Sequence, residues 1–442
     1  MRATVGFLLV ALLFATPRAT AAQELEYDNL SDVFSGVFDY ILTEAFQLSP
    51  GPHADHYIPA SERTSAELIP ALNTLISSSV ASFPLTSTVA GITFDFSSGA
   101  PVRVVESLGP IFSETPATLG YRKITFGFNA THLGFDKLRN TPLKDVEFAF
   151  LHEDVGDPGL GTDASELDVV RVKLGLDADA SIFAFHANYG VTSNFDVGIA
   201  LPLLLVRLAG TTVATIESYT LPAIGLALHF FDGDRFNPVL AEEVPYSKTA
   251  TGIGDVGIRL KYRLPLVSST AVAAILDVRL PTGDEANFLG TGSTTGRLIL
   301  AGSSKMGAFT PHVNVGYDYR GAEQDSDELE FAVGFDQQLS RYVTFAIDLL
   351  GEVDLNKDEA IHLLPGSQSI SFTDEVSGGV SVREIELSNV SDRTQDNTFR
   401  VAIGARFAPT DRLQLLGNVL ISVVDSGLYS NIAPTIGFSV LL

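Results

Sequence analysis

The chain has 442 residues, with 28 basic against 53 acidic side chains for a formal charge of -25, and neither cysteine nor tryptophan. This excludes a disulfide scaffold and a cysteine nucleophile, and the acidity argues against capture of a nucleic-acid backbone. Mean hydropathy is nevertheless +0.23, high for a chain in which no internal apolar run reaches the roughly 20 residues of a membrane-spanning helix.

Residues 1–21 read as a secretory signal: Arg2 supplies the positive charge, Gly6 to Ala15 the short apolar core, and Ala19-Thr20-Ala21 the small residues for cleavage. Its removal takes Arg2 and Arg18 away and leaves the exported chain more acidic still. From Asn29 to Phe46, Leu30, Val33, Phe34, Val37, Phe38, Ile41, Leu42 and Ala45 recur at helical spacing, with Ser31 and Asp32 placed to cap. A second helix is predicted over about 65–80, with Pro70 in its first turns or kinking it. Residues 22–120 therefore form a helical and irregular segment. It cannot bury its apolar stripes alone and must dock on the rest as a plug-like element.

Beyond Tyr121 the hydrophobic period changes from 3.6 to 2. Val256, Ile258, Leu260 and Tyr262 alternate with Gly257, Arg259, Lys261 and Arg263, and Phe309, Pro311, Val313, Val315, Tyr317 and Tyr319 with Thr310, His312, Asn314, Gly316, Asp318 and Arg320. Many such stretches run about ten residues, the length of tilted strands crossing a bilayer, and short turns alternate with long polar loops. Backbone groups in hydrocarbon find no partner in solvent, so spanning strands must close on themselves. The predicted fold is all-β, an antiparallel transmembrane β-barrel over 121–442. Its twelve strands are placed at about 121–135, 167–190, 195–206, 251–264, 269–281, 294–304, 309–320, 327–338, 342–353, 397–408, 412–423 and 431–442. Residues 143–151, 213–231 and 378–389 would raise the count to fourteen if they join the wall. An even number puts both termini on the periplasmic side of an outer membrane.

Alternation assigns to the lumen Arg171, Lys173, Arg259, Lys261, Arg263, Asp277, Arg279, His312, Asp318, Glu330, Asp336, Asp348, Arg400 and Arg406. Such a wall either positions a polar substrate group or holds the N-terminal segment; alternatively its members pair across strands and only keep the interior hydrated and rigid. Its cations permit an anionic head group as ligand, but Asp32, Asp39, Glu44, Glu62 and Glu67 of the N-terminal segment compete for them. The stripe Leu30, Phe34, Phe38 and Leu42 either meets a hydrophobic substrate or packs against the barrel. Pro202 and Pro311 lie inside strands and imply bulges or edge-like interruptions.

Catalytic and cofactor signals are weak. Gly290-Thr291-Gly292 with Gly296 lacks the following Gly-Lys-Ser/Thr of a nucleotide loop, Asp354 to Glu359 lacks the spaced ligands of a calcium loop, and the eight histidines form no HExxH pattern. No enzyme activity, cofactor or metal is expected. The acidic stretch from Glu323 to Glu330 is read as solvated surface rather than a cation bridge to lipid.

Gly109-Pro110-Ile111-Phe112-Ser113-Glu114 with Ala117-Thr118-Leu119-Gly120, then Asn188 to Thr192 before Phe195-Asp196-Val197-Gly198, resembles the outer-membrane transporter family of meta-pathway phenol-degradation proteins. Gly252 to Gly257 and Leu280-Pro281-Thr282-Gly283-Asp284 fit the same family, over roughly 109–442. The chain ends in Leu442 rather than the terminal aromatic common among such barrels. The resemblance implies a Gram-negative outer-membrane channel, similar in manner to long-chain fatty-acid and aromatic-hydrocarbon channels, whose N-terminal segment plugs the lumen. The expected function is passive transport of small hydrophobic or amphipathic compounds, with membrane lipids and the solute as partners and no nucleic acid. An outer-membrane lipid hydrolase and an adhesin or structural barrel are the alternatives.

Overall fold

The computed structural model describes residues 25–45, 47–48, 56–81, 93–95, 102–104, 112–154, 160–266, 270–320, 326–355, 361–364, 366–373, 378–393, 395–424 and 426–442. The expected signal segment lies outside them. Twelve antiparallel staves form the wall: β1 (Ile124–Phe135), β2 (Leu176–Gly190), β3 (Phe195–Glu217), β4 (Ala241–Ile253 and Val256–Arg263), β5 (Thr270–Leu280), β6 (Thr295–Ser304), β7 (Phe309–Tyr319), β8 (Glu328–Gln338), β9 (Val343–Asp354), β10 (Thr398–Phe407), β11 (Leu413–Ser422) and β12 (Ile432–Leu441). Each pairs with its sequence neighbour, and β12 closes on β1 with Phe438 opposite Phe128. Closure leaves no sheet edge in the wall, as hydrocarbon requires.

One rim carries short turns such as 191–194, 305–308 and 408–412, and the other carries the long loops. The three extra candidate stretches add no staves. Residues 213–217 continue β3, Glu147–Leu151 pairs with Val169–Lys173 beside it, and Val380–Glu386 forms a hairpin with Ser367–Thr373. They extend the long-loop rim, which is why the count is twelve and not fourteen.

Alternation sorts the two faces of each stave. Ile199, Leu298, Leu300, Val313, Val315, Val333 and Ile436 stand exposed on the outside, with Tyr189, Tyr262 and Phe407 toward the short-turn rim and Tyr317 and Tyr319 toward the other. An apolar band between aromatic girdles is the surface a bilayer stabilises. Pro202 sits at a bulge: Ala200 faces Gly257 and Leu203 faces Ile253, so two residues of β3 oppose three of β4. Pro311 makes no bulge, because the β7–β8 register runs unbroken through Pro311 and Phe335. It lies just beyond the β6–β7 ladder, which stops at His312, so its missing N–H interrupts nothing there.

The N-terminal helices are α1 (Asp32–Asp39), α2 (Ile58–Arg63) and α3 (Ile69–Ala81). Asn29, rather than Ser31, caps α1: its Oδ1 accepts from the Asp32 amide, and the Asp32 carboxylate accepts from the Asn29 amide. Pro70 neither breaks nor ends its helix. A wide turn over Thr64–Leu68, in which the Ile69 amide reaches back to Thr64, absorbs the proline ring. The stripes of α1 and α3 pack with Leu133, Phe148, Phe150, Val172, Ala180, Val206, Ala214 and Val244 in one core at the long-loop end.

Candidate functional site

The lower lumen is polar, and residues 112–120 run through it toward the short-turn rim. Phe112 and Ser113 donate to the Asp348 carboxylate at 3.2 and 2.9 Å, the Glu114 amide donates to Asn314 Oδ1 at 2.6 Å, and the Leu119 amide donates to Asp196 at 2.9 Å. The Glu114 carboxylate, 4% exposed, accepts from Arg259 at 2.7 Å and from Lys261 at 3.3 Å. Lys261 also donates to the Thr115 carbonyl. This segment is stitched to the wall by side chains of β3, β4, β7 and β9.

From Glu114 the charges continue across neighbouring staves. Arg259 forks onto Asp277, Asp277 also accepts from Arg297, and Arg297 reaches Glu330 at 3.1 Å. Farther round, Arg320 donates to Glu328 at 2.7 Å and Arg400 to Glu352 at 2.8 Å. The cause is register: Arg259 lies opposite Asp277, and Asp277 opposite Arg297, so strand pairing itself puts opposite charges side by side. His312 lies between Asp348 at 2.5 Å and Asp336 at 3.6 Å.

The alternation thus places Arg259, Lys261, Asp277, Arg279, His312, Asp318, Asp336, Arg400 and Arg406 on inner faces, with Arg263 at the short-turn rim. Arg171 and Lys173 require correction. Arg171 pairs with Glu147 and Glu217, and Lys173 with Asp145, all on the outer side of the rim extension, while Val170 and Val172 turn inward to the helical core. Polar-inside holds only within the bilayer; beyond it the inner face packs on an apolar core and the charged pairs stand on the outer face, part of which the hairpin 367–386 covers. Leu30, Phe34, Phe38 and Leu42 are at most 1% exposed, and Phe38 meets Phe148 and Phe150 edge-on, so the stripe packs rather than lining a path. The acid that the N-terminal segment offers to the wall, at Arg259 and Lys261, is Glu114 rather than the five helical acids considered from sequence. Glu114 is followed by no strand period that could mark it; Arg297 and Glu352 were legible by parity, since Thr295, Arg297, Ile299 and Ala301 share one face of β6.

Between the helical core and the charge ladder lies a small, partly open cleft with a cavity volume of about 80 Å³. Leu75, Leu133, Phe135, Leu420 and Leu428 line one part of it, and Arg320, Glu328, Glu330, Glu352, Thr398 and Arg400 the other. Its lining is amphipathic. The cations there are engaged by carboxylates, so the polar side offers a nearly compensated hydrogen-bonding surface rather than a net positive one.

Three buried histidines also meet at the long-loop end: His56 before α2, His152 after the strand Glu147–Leu151, and His229 in the loop after β3. Sequence spacing gave no sign of them, because His56 and His152 are 96 residues apart. The Tyr57 hydroxyl donates to the Asp168 carbonyl beside them, and burial pushes its pKa well above the usual tyrosine value, so it stays a donor.

A family model described as "Putative MetA-pathway of phenol degradation" matches residues 162–426, more than half of the chain. The chain belongs to that family. The match begins within the rim extension, later than the 109 expected from sequence, and takes in most of the wall. No curated protein matches the sequence. Among solved structures, an outer membrane channel from Pseudomonas putida F1 is 10% identical with a TM-score of 0.39, covering 74% of this chain and 97% of that one. A Pseudomonas aeruginosa FadL homologue is 10% identical with a TM-score of 0.33, covering 81% and 97%. The Ralstonia pickettii toluene transporter is 13% identical with a TM-score of 0.25, covering 74% and 92%.

Proposed function

We propose that the chain is an outer-membrane channel for passive uptake of small hydrophobic or amphipathic compounds, aromatic compounds among them, with the long loops outward and both termini periplasmic. The observation that carries this reading is the amphipathic cleft, enclosed by a wall whose exterior suits lipid. A solute with an apolar body and a small polar group would bury the body against Leu133, Phe135 and Leu420. Its polar group would then reach the paired Glu and Arg side chains. A neutral group such as a phenolic hydroxyl fits that compensated surface better than a carboxylate, and the family's phenol-degradation description agrees in chemical class. The reading assigns no covalent chemistry to the chain.

Residues 22–120 act in this reading as the plug. The helices fill the upper lumen, and the stitched segment 112–120 blocks the lower part, so passage requires one of them to shift or the wall to open near the Pro202 bulge. The test is flux into liposomes. Full-length protein is expected to speed entry of phenol over protein-free vesicles while holding back a hydrophilic solute of similar size, such as arabinose. Equal phenol entry with and without protein rejects the channel. Deletion of residues 22–120, which removes both the helices and the stitched segment, is expected to raise arabinose leakage, and unchanged leakage rejects the plug.

A further inference from the structure

We propose that His56, His152 and His229 form a site for one divalent transition metal ion of the zinc type, which fastens the N-terminal helical segment to two of the long loops. One nitrogen from each ring lies within 4.8 Å of the others, and all three side chains are buried, at 7%, 3% and 0% exposure. The hydrogen bonds around the cluster set the tautomers that ligation needs at two of the three rings, His229 and His152. His229 Nδ1 donates to the Asp168 carboxylate at 2.7 Å, which puts the ring's lone pair on Nε2. His152 Nδ1 donates to the Glu153 carbonyl at 2.7 Å, which likewise puts its lone pair on Nε2. A ligating histidine held through its other nitrogen by a carboxylate or a carbonyl is the usual outer-shell arrangement of a zinc site.

Asp168 is itself fixed, fully buried and accepting from the Tyr219 amide at 2.7 Å. Its carboxylate accepts from one of the three rings, so it would offset part of the charge of a bound divalent cation. Imidazole nitrogen selects zinc, copper, nickel or cobalt over calcium or magnesium, which take oxygen ligands. Two nitrogens on one tetrahedral zinc ion stand about 3.3 Å apart, from bonds of about 2.0–2.1 Å. His56 Nδ1 donates to His152 Nε2 at 2.6 Å, so the ion would replace that bond, displace the His56 Nδ1 proton and spread the pair by less than an ångström. Water takes the fourth position. The ligands come from the N-terminal segment, the loop after Leu151 and the loop after β3, so the ion would reinforce the contacts that already join them, the pairing of Gln47–Leu48 with His229–Phe230 and the Glu153 amide on the His56 carbonyl.

The test uses untagged full-length protein in detergent, stripped with a chelator and titrated with zinc chloride alone. One zinc per chain is expected by calorimetry and elemental analysis. The variants His56→Gln and His152→Gln are expected to weaken binding by more than 100-fold, and Asp168→Asn, which keeps all three ligands, by about 10–100-fold. Cobalt substitution of the wild type is expected to give the intense visible bands of a tetrahedral nitrogen site, a readout that does not depend on any variant folding. Zinc is also expected to protect the N-terminal segment from limited proteolysis. Absence of stoichiometric zinc, wild-type affinity in both histidine variants, or only the weak spectrum of hydrated cobalt overturns the site; cleavage at equal rates with and without zinc overturns the fastening role. These outcomes are independent of solute transport.

Discussion

Glu114 shows how much one side chain can hold in a closed lumen. It faces Arg259, 17% exposed at the side chain, and Lys261, 1% exposed, and no bulk water screens the contacts. Removing one member of a buried ion pair strands the other, at a cost of about 3–5 kcal/mol, whereas an exposed pair is worth at most about 1 kcal/mol. Glu114→Gln is therefore expected to lower the denaturant midpoint and to raise leakage of a hydrophilic solute together. Lys173→Gln, which breaks the half-exposed pair with Asp145, should leave both near wild type. Equal effects from the two substitutions, measured by chemical unfolding in lipid vesicles and by liposome leakage, would remove Glu114 as the anchor of segment 112–120. Lys173 and Lys261, the partner of Glu114, show where sequence reading fails at this scale. Lys173 and Lys261 both alternate with apolar neighbours, and only the height of each above the bilayer decides whether the polar face is the inner one.

Elements were more legible than single charges, because a two-residue period over ten residues is hard to mimic. The predicted strand 309–320 is observed as Phe309–Tyr319, and 397–408 as Thr398–Phe407. The predicted strand 167–190 is instead divided into Val169–Lys173 and β2, and the division falls at Gly175. There φ is +58°, and an added Cβ would stand 2.2 Å from the Thr211 carbonyl oxygen. Only glycine relieves both constraints, since other residues face a cost of roughly 1–2 kcal/mol in this conformation even without the clash. Gly175→Ala is expected to destabilise the rim extension, seen as faster proteolytic cleavage between Val169 and Leu176, with the spanning wall unchanged by circular dichroism. Cleavage at the wild-type rate would show that the break tolerates a side chain. Periodicity could not place this joint, because the even-numbered residues face inward on both sides of it: Val170, Val172, Leu176 and Ala178 are all buried. The Pro202 bulge was legible for the opposite reason, since proline removes a donor wherever a ladder continues past it; at Pro311 the β6–β7 ladder has already ended.

For the whole molecule, a positive mean hydropathy beside a large negative charge is reconciled by geometry. The apolar residues form two surfaces, one turned inward around the helices at the long-loop end and one turned outward around the wall, while acidic side chains populate the loops and the lumen. The outward surface gives the sharpest test of placement. Leu300 lies mid-strand on β6 with 55% of its surface exposed, and Val382, in the loop hairpin, is 64% exposed. In water the two positions are alike, and arginine at either should change stability by no more than about 0.5 kcal/mol. In a bilayer they differ: arginine near the midplane of a barrel costs about 2–4 kcal/mol, whereas the hairpin stands in solvent throughout. Leu300→Arg should therefore lower the unfolding free energy in vesicles by that amount, and Val382→Arg should leave it within about 0.5 kcal/mol. Equal small losses for both would mean that β6 faces water at Leu300 and that the apolar band is not the spanning surface.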